Sequence, residues 1–220
     1  MQTRRSLPEV ALTAIIATIA WDALVLQLVL LLHAEWNAAG PLLATIRFFS
    51  YFTILANLLV ALVCTFSLVR RPGRMQAFFS SPRVRGAAAL YIGVTGCVYF
   101  VVLSSLWAPT GFQWLADISL HYAVPLMYLA LWIVFAPRRT LAWSDLPRWL
   151  IFPLVYLIWA LVRGSWVHEY PYPFIDVDAI GMAHALRNAL AVTAFFVVLG
   201  SILIGFNRGF PRASRDAAAS

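Results

Sequence analysis

Six apolar runs constrain this chain more than any other feature: residues 10–32, 48–69, 86–107, 118–135, 149–162 and 189–206. Most approach the roughly 20 residues that a bilayer core of about 30 Å demands of a helix. Backbone groups inside lipid must be paired within the segment, and none of these runs shows the period-two alternation of a barrel strand. The expected fold class is therefore all-α, a polytopic membrane protein with six transmembrane helices in one bundle. With 62% hydrophobic and 11% charged residues, the 220-residue chain has too little polar surface to cover a water-soluble globule. The fifth run is short, and it spans only if Leu146, Arg148 and Arg163 extend to the two interfaces.

The charge pattern supplies an orientation. All 16 basic residues are arginine, and the formal net charge is +7. They form no single patch for nucleic acid; they punctuate the connections between apolar runs. Thirteen fall in alternate connections: Arg4 and Arg5; Arg70, Arg71, Arg74, Arg83 and Arg85; Arg138, Arg139 and Arg148; Arg208, Arg212 and Arg215. Arg47, Arg163 and Arg187 border the opposite connections, which carry Glu35, Asp117, Glu169, Asp176 and Asp178. The positive-inside rule then places both termini in the cytoplasm, and the expected location is a cell membrane, the bacterial cytoplasmic membrane.

No internal repeat or low-complexity linker divides the chain, so residues 1–220 are expected to form one domain with short cytoplasmic tails at about 1–9 and 207–220. Thr3-Arg4-Arg5-Ser6-Leu7 faintly resembles a twin-arginine signal, but the apolar run behind it exceeds the usual 7 to 15 residues and reads as a retained helix. Cys64 and Cys97 fall inside apolar runs and read as buried small residues. No cofactor is expected.

Polar side chains inside a span are costly, at least about 2.5 kcal/mol for a charge near the centre, and so mark candidate sites. Ser50, Thr53 and Asn57 recur at i, i+3 and i+7, a polar stripe on one face of the second span. Asp117 and His121 share a face at i, i+4 in the fourth. Both spans enter from the same side, so Thr53 and His121 fall at similar depths, roughly 9 Å below Arg47 and roughly 6 Å below Asp117. A hydroxyl needs a base to become a nucleophile, and histidine suits that task near neutrality. Asp117 is placed to orient the ring, and Asn57 or a backbone amide to donate to an oxyanion. The blander alternative has Thr53 bonding to its own helix, Asn57 joining helices and His121 satisfied by a carbonyl that Pro125 frees. Asp22, deep in the first span, is expected to pair with Arg47 or Arg187.

Ser50-Tyr51-Phe52-Thr53-Ile54-Leu55-Ala56-Asn57, then Leu120-His121-Tyr122 with Pro125, and later Tyr172-Pro173-Phe174, resemble the androgen-inducible family of six-span membrane proteins and its bacterial relatives. The resemblance implies an intramembrane hydrolase of lipid esters, of the kind that cleaves fatty acid esters of hydroxy fatty acids. It carries the family's threonine nucleophile onto Thr53 and its histidine base onto His121. The implied partner is a lipid substrate within the bilayer, with Arg47 or Arg187 available to its carboxylate. Two other classes compete: a haem or metal bundle using His33, His121, His168 and His184, and a transporter or channel built around Asp22 and the polar stripe.

Overall fold

The computed structural model describes residues 5–38, 40–69 and 71–209. Arg4, Arg70, Arg212 and Arg215, with residues 1–4 of the first tail and 210–220 of the last, lie outside them. Among the described residues every regular element is helical. Five helices are long and apolar enough to cross a membrane, or six if one bent pair is a single span.

The first candidate span is α1, Leu7–Glu35, started by Ser6, whose hydroxyl accepts from the Glu9 N–H, with Pro8 in the first turn. The second apolar run is divided. Helix α2, Gly40–Phe49, meets α3, Phe52–Leu68, at 75°. Ser50 bonds back to the Ile46 carbonyl at 2.6 Å, Tyr51 is extended, and the Tyr156 hydroxyl takes the Ser50 carbonyl at 2.8 Å. With that acceptor occupied, the Ile54 N–H turns to Tyr51 O, and the ladder restarts one residue later. A short α4, Arg74–Phe79, precedes α5, Pro82–Val98, which runs on through a π-helical turn, Tyr99–Leu103.

The fourth apolar run falls in one candidate span made of α6, Gly111–Ile118, a second π turn, Ser119–Ala123, and α7, Val124–Phe135. It begins seven residues before the expected start at 118, which puts Asp117 inside a helix and not at its mouth. The fifth, α8, Asp145–Val167, is also longer than its apolar run and reaches membrane length. Behind it come a 3₁₀ turn, Pro173–Ile175, a short α9, Val177–Ile180, and the last candidate span, α10, Met182–Gly209.

Helix α5 is the most enclosed, with 61% of its apolar window buried against 11% for α8. It packs against α3, α7 and α10, and α8 reaches the bundle chiefly through α10. Small residues permit the close approach. A Cβ on Gly96 would meet Pro125 Cβ at 3.1 Å, and one on Gly86 would meet the Trp149 ring at 2.7 Å. Trp149 also ties α8 to α5: its indole donates to Arg83 O, and the Tyr91 hydroxyl donates to its carbonyl at 2.7 Å. That carbonyl needs an outside donor because Pro153, four residues on, has no N–H.

Candidate active site

The break before α3 determines what Thr53 can do. A threonine inside a helix commonly bonds back to the carbonyl four residues earlier, as Thr95 does to Tyr91 and Thr193 to Ala189. For Thr53 that residue is Phe49, the last of α2, beyond a 75° bend. Its hydroxyl instead lies 3.3 Å from the hydroxyl of Tyr172, which also accepts from the Thr53 N–H at 3.1 Å. That N–H belongs to the first turn of α3 and has no acceptor within the helix. The three-residue polar stripe is therefore interrupted, since Ser50 lies in the break and only Thr53 and Asn57 share a helix.

Asn57 is fully buried, and its amide nitrogen donates to Thr53 O at 2.8 Å and to Leu120 O at 3.1 Å. The second bond has a cause in the fourth span. In the π turn, Val124 N–H bonds to Ser119 O, so the next donor in register, residue 125, should serve Leu120 O, and residue 125 is proline. Asn57 replaces the missing donor. It thereby joins the turn of Thr53 to the turn of His121, but its nitrogen is then committed and has no proton left for an oxyanion.

His121 sits on that π turn with Nδ1 3.0 Å from Asp117 O and 3.1 Å from Asp117 Oδ1. Both contacts are acceptors, so Nδ1 carries the proton, and in the neutral ring Nε2 keeps the lone pair. The Tyr99 hydroxyl lies 2.7 Å from both Asp117 oxygens, receives the Trp107 indole N–H at 3.0 Å, and its ring stacks on His121 at 3.7 Å. Tyr99 is itself on the π turn that ends the third span. Sequence reasoning passed over Tyr99 because nothing in its apolar neighbourhood marks it. Thr53 and His121 share no hydrogen bond in this structure.

Thr53 lines a narrow cleft of about 80 Å³ bounded by α5, α8 and α10 and roofed by Tyr172, Phe174 and Ile175. Apart from a few hydroxyls its walls are apolar, as suits an acyl chain. His121 is not among the lining residues. The roof is fixed by charge: Glu169 is bound by Arg47 and by Arg163, and Arg47 is bound by Glu35 as well. The hydrogen bond from Arg47 is the main cause holding the Glu169 carboxyl below its ordinary value, against partial burial, with Arg163 adding to it.

Arg47 is thus spent on Glu35 and Glu169 and does not reach Asp22. Asp22 is exposed on α1 and, among the described residues, has no hydrogen bond or ion pair. Arg187 is exposed near the start of α10, beside Asn188, whose amide donates to Phe174 O on the roof of the cleft. Among the described residues no three His, Cys, Asp or Glu side chains are grouped to hold a metal ion. Comparison with protein-family models, with curated proteins and with solved structures finds no match.

Proposed function

We propose that the chain is an intramembrane hydrolase of lipid esters, of the fatty acid ester of hydroxy fatty acid type, with Thr53 as nucleophile and His121 as base. The observation that carries this reading is the placement of Thr53: its hydroxyl is freed from its own helix by the α2–α3 break and set on the wall of an apolar cleft. Supporting it are the resemblance to the androgen-inducible family and the tautomer of His121, whose Asp117 contacts leave Nε2 as the basic nitrogen.

In the first half-reaction Thr53 Oγ1 bonds to the ester carbonyl carbon and its proton passes to His121 Nε2. The carbonyl π electrons move to oxygen, and their return expels the alcohol, which takes the proton back from the imidazolium. Water attacks the acyl-threonine in the same way and releases the acid. Contacts between catalytic groups are commonly long before substrate binds, and on this reading Thr53 and His121 pair in the loaded site, with Asn57 tying the turn that carries one to the turn that carries the other. Arg187, with no ion pair among the described residues, is better placed than Arg47 to meet a substrate carboxylate. The arginine asymmetry further proposes six spans, with α2 and α3 counted as one, and both termini in the cytoplasm of a bacterial cell.

The test is labelling of the purified protein by a fluorophosphonate bearing an alkyl chain, followed by hydrolysis of a fatty acid ester of a hydroxy fatty acid. Wild type is expected to label and hydrolyse, and Thr53→Ala to do neither while keeping its melting temperature. Thr53→Ser, which keeps the hydroxyl, should retain part of the rate. Undiminished hydrolysis by Thr53→Ala removes the mechanism.

A further inference from the structure

Tyr172 is the residue of the cleft whose chemistry the half-reactions above leave unused. It comes from the connection between α8 and α9, more than a hundred residues from Thr53, yet its hydroxyl meets both polar atoms of that residue. The Thr53 N–H can only donate, so the Tyr172 oxygen accepts there. The phenolic proton then points elsewhere; Thr53 Oγ1 lies 3.3 Å away, and the Tyr156 hydroxyl, already donating to Ser50 O, is the other oxygen beside it.

We propose that Tyr172 is the oxyanion donor of the site, a proposal that rests on the hydrolase reading above. When Thr53 gives its proton to His121 and bonds to the acyl carbon, the oxyanion forms on that same carbon. A hydroxyl 3.3 Å from Oγ1 is within hydrogen-bond reach of it. The Thr53 N–H bonded to the Tyr172 oxygen polarises the phenol, so charge passes along a chain from the first turn of α3 through Tyr172 to the oxyanion. Asn57 cannot take the part, because its nitrogen already serves two carbonyls.

An oxyanion donor has to be fixed before the charge appears. Tyr172 meets that condition. Its ring stacks on Phe174 at 5.2 Å and meets Tyr51 edge-on. Asn188 holds the Phe174 carbonyl, and Ile175 is 2% exposed. At the other end of the connection Tyr170 lies over Gly164, where an added Cβ would sit 2.2 Å from the ring, and Arg163 donates to the Glu169 carbonyl.

The experiment compares Tyr172→Phe with wild type on p-nitrophenyl octanoate and on its thionoester, whose C=S is a poor hydrogen-bond acceptor. Tyr172→Phe is expected to lose about 10²- to 10³-fold in kcat on the oxoester, with KM changed little, and far less on the thionoester. An equal fall on both substrates assigns Tyr172 to holding α3 in place and overturns the proposal, and so does an unchanged oxoester rate. Should Tyr172→Phe fail to fold, fluorinated tyrosines at position 172 replace it. The oxoester rate must then vary with phenol acidity, and a flat series is fatal. Wild type that hydrolyses neither ester and resists the fluorophosphonate overturns the hydrolase reading and this assignment with it. Wild type that is active and dependent on Thr53, beside a fully active Tyr172→Phe, overturns this assignment alone.

Discussion

The start of α3 and the π turn of the fourth span both interrupt a helical hydrogen-bond ladder, and they interrupt it with opposite polarity. At the α3 start the break releases donors: the Thr53 N–H has no carbonyl behind it and takes a hydroxyl from another segment. At the π turn the break releases an acceptor: Leu120 O has lost its partner to Pro125 and is met by Asn57. A place that leaves donors free can stabilise developing negative charge. A place that leaves a carbonyl free has to be filled by a donor before anything else, and here that consumes the most buried polar side chain of the site. The catalytic assignments follow this division, with nucleophile and oxyanion donor at the α3 start and the proton acceptor on the π turn.

The largest expected effect bears on whether the two places act together. His121→Ala and Thr53→Ala should each reduce hydrolysis by about 10⁴-fold or more, and the double variant should be scarcely worse than either, since nucleophile and base act as one unit. Asp117→Asn keeps the shape but loses the charge facing Nδ1, and should cost about 10²-fold or more in kcat. Multiplying losses in the Thr53→Ala, His121→Ala pair would mean that the π turn contributes to the rate independently of the nucleophile.

A smaller effect, on stability, sharpens the account of the π turn. Asn57→Leu leaves Leu120 O buried without a donor, which should destabilise the protein by about 1–3 kcal/mol. Pro125→Ala restores an N–H at the position that lacks one. If that proline is why Asn57 is needed, Asn57→Leu in the Pro125→Ala background should cost markedly less than in wild type, measured as a non-additive double-mutant cycle in detergent. Equal cost in both backgrounds would show that Asn57 acts through packing.

The same contrast explains what the sequence discloses. Apolar runs locate the spans because transfer into lipid dominates every other preference, and α1, α5 and α10 lie over theirs with shifts at the ends. The α2–α3 bend is silent. No glycine or proline occurs at Ser50 or Tyr51; the bend depends on a serine bonding backwards and on the Tyr156 hydroxyl arriving from 106 residues away. The prolines are readable, since Pro125 and Pro153 each predict a carbonyl in search of a donor; the donor at Pro125 is Asn57, where His121 is the sequence's expectation, and the donor at Pro153 is Tyr91. Thr53, Asn57, Asp117 and His121 stand out by being polar in apolar surroundings. Tyr99 and Tyr172 carry most of their surface as ring, and only tertiary structure shows which hydroxyls they meet. Asp22 was expected to be paired because the cost of a lone carboxylate in lipid argues for it, yet Arg47 is drawn to two glutamates at the end of the bundle.

The smallest effect tests whether the α3 start is special among the hydroxyls of the cleft. Thr193 lines the same cavity as Thr53, but its hydroxyl donates to Ala189 O, the carbonyl of its own helix one turn earlier. That bond satisfies a hydroxyl with no other partner and contributes little to the helix, whose Ala189 carbonyl has its ladder bond in any case. Thr193→Val removes the hydroxyl and keeps the branched shape, so stability should change by no more than about 0.5 kcal/mol. Fluorophosphonate labelling and ester hydrolysis should match wild type. Thr53→Val is also close in shape and lies on the same wall, and it should abolish both, because its hydroxyl was never returned to the helix. Loss of labelling in Thr193→Val with the melting temperature intact would mean that reactive hydroxyls in this cleft are not confined to the place where the ladder is broken.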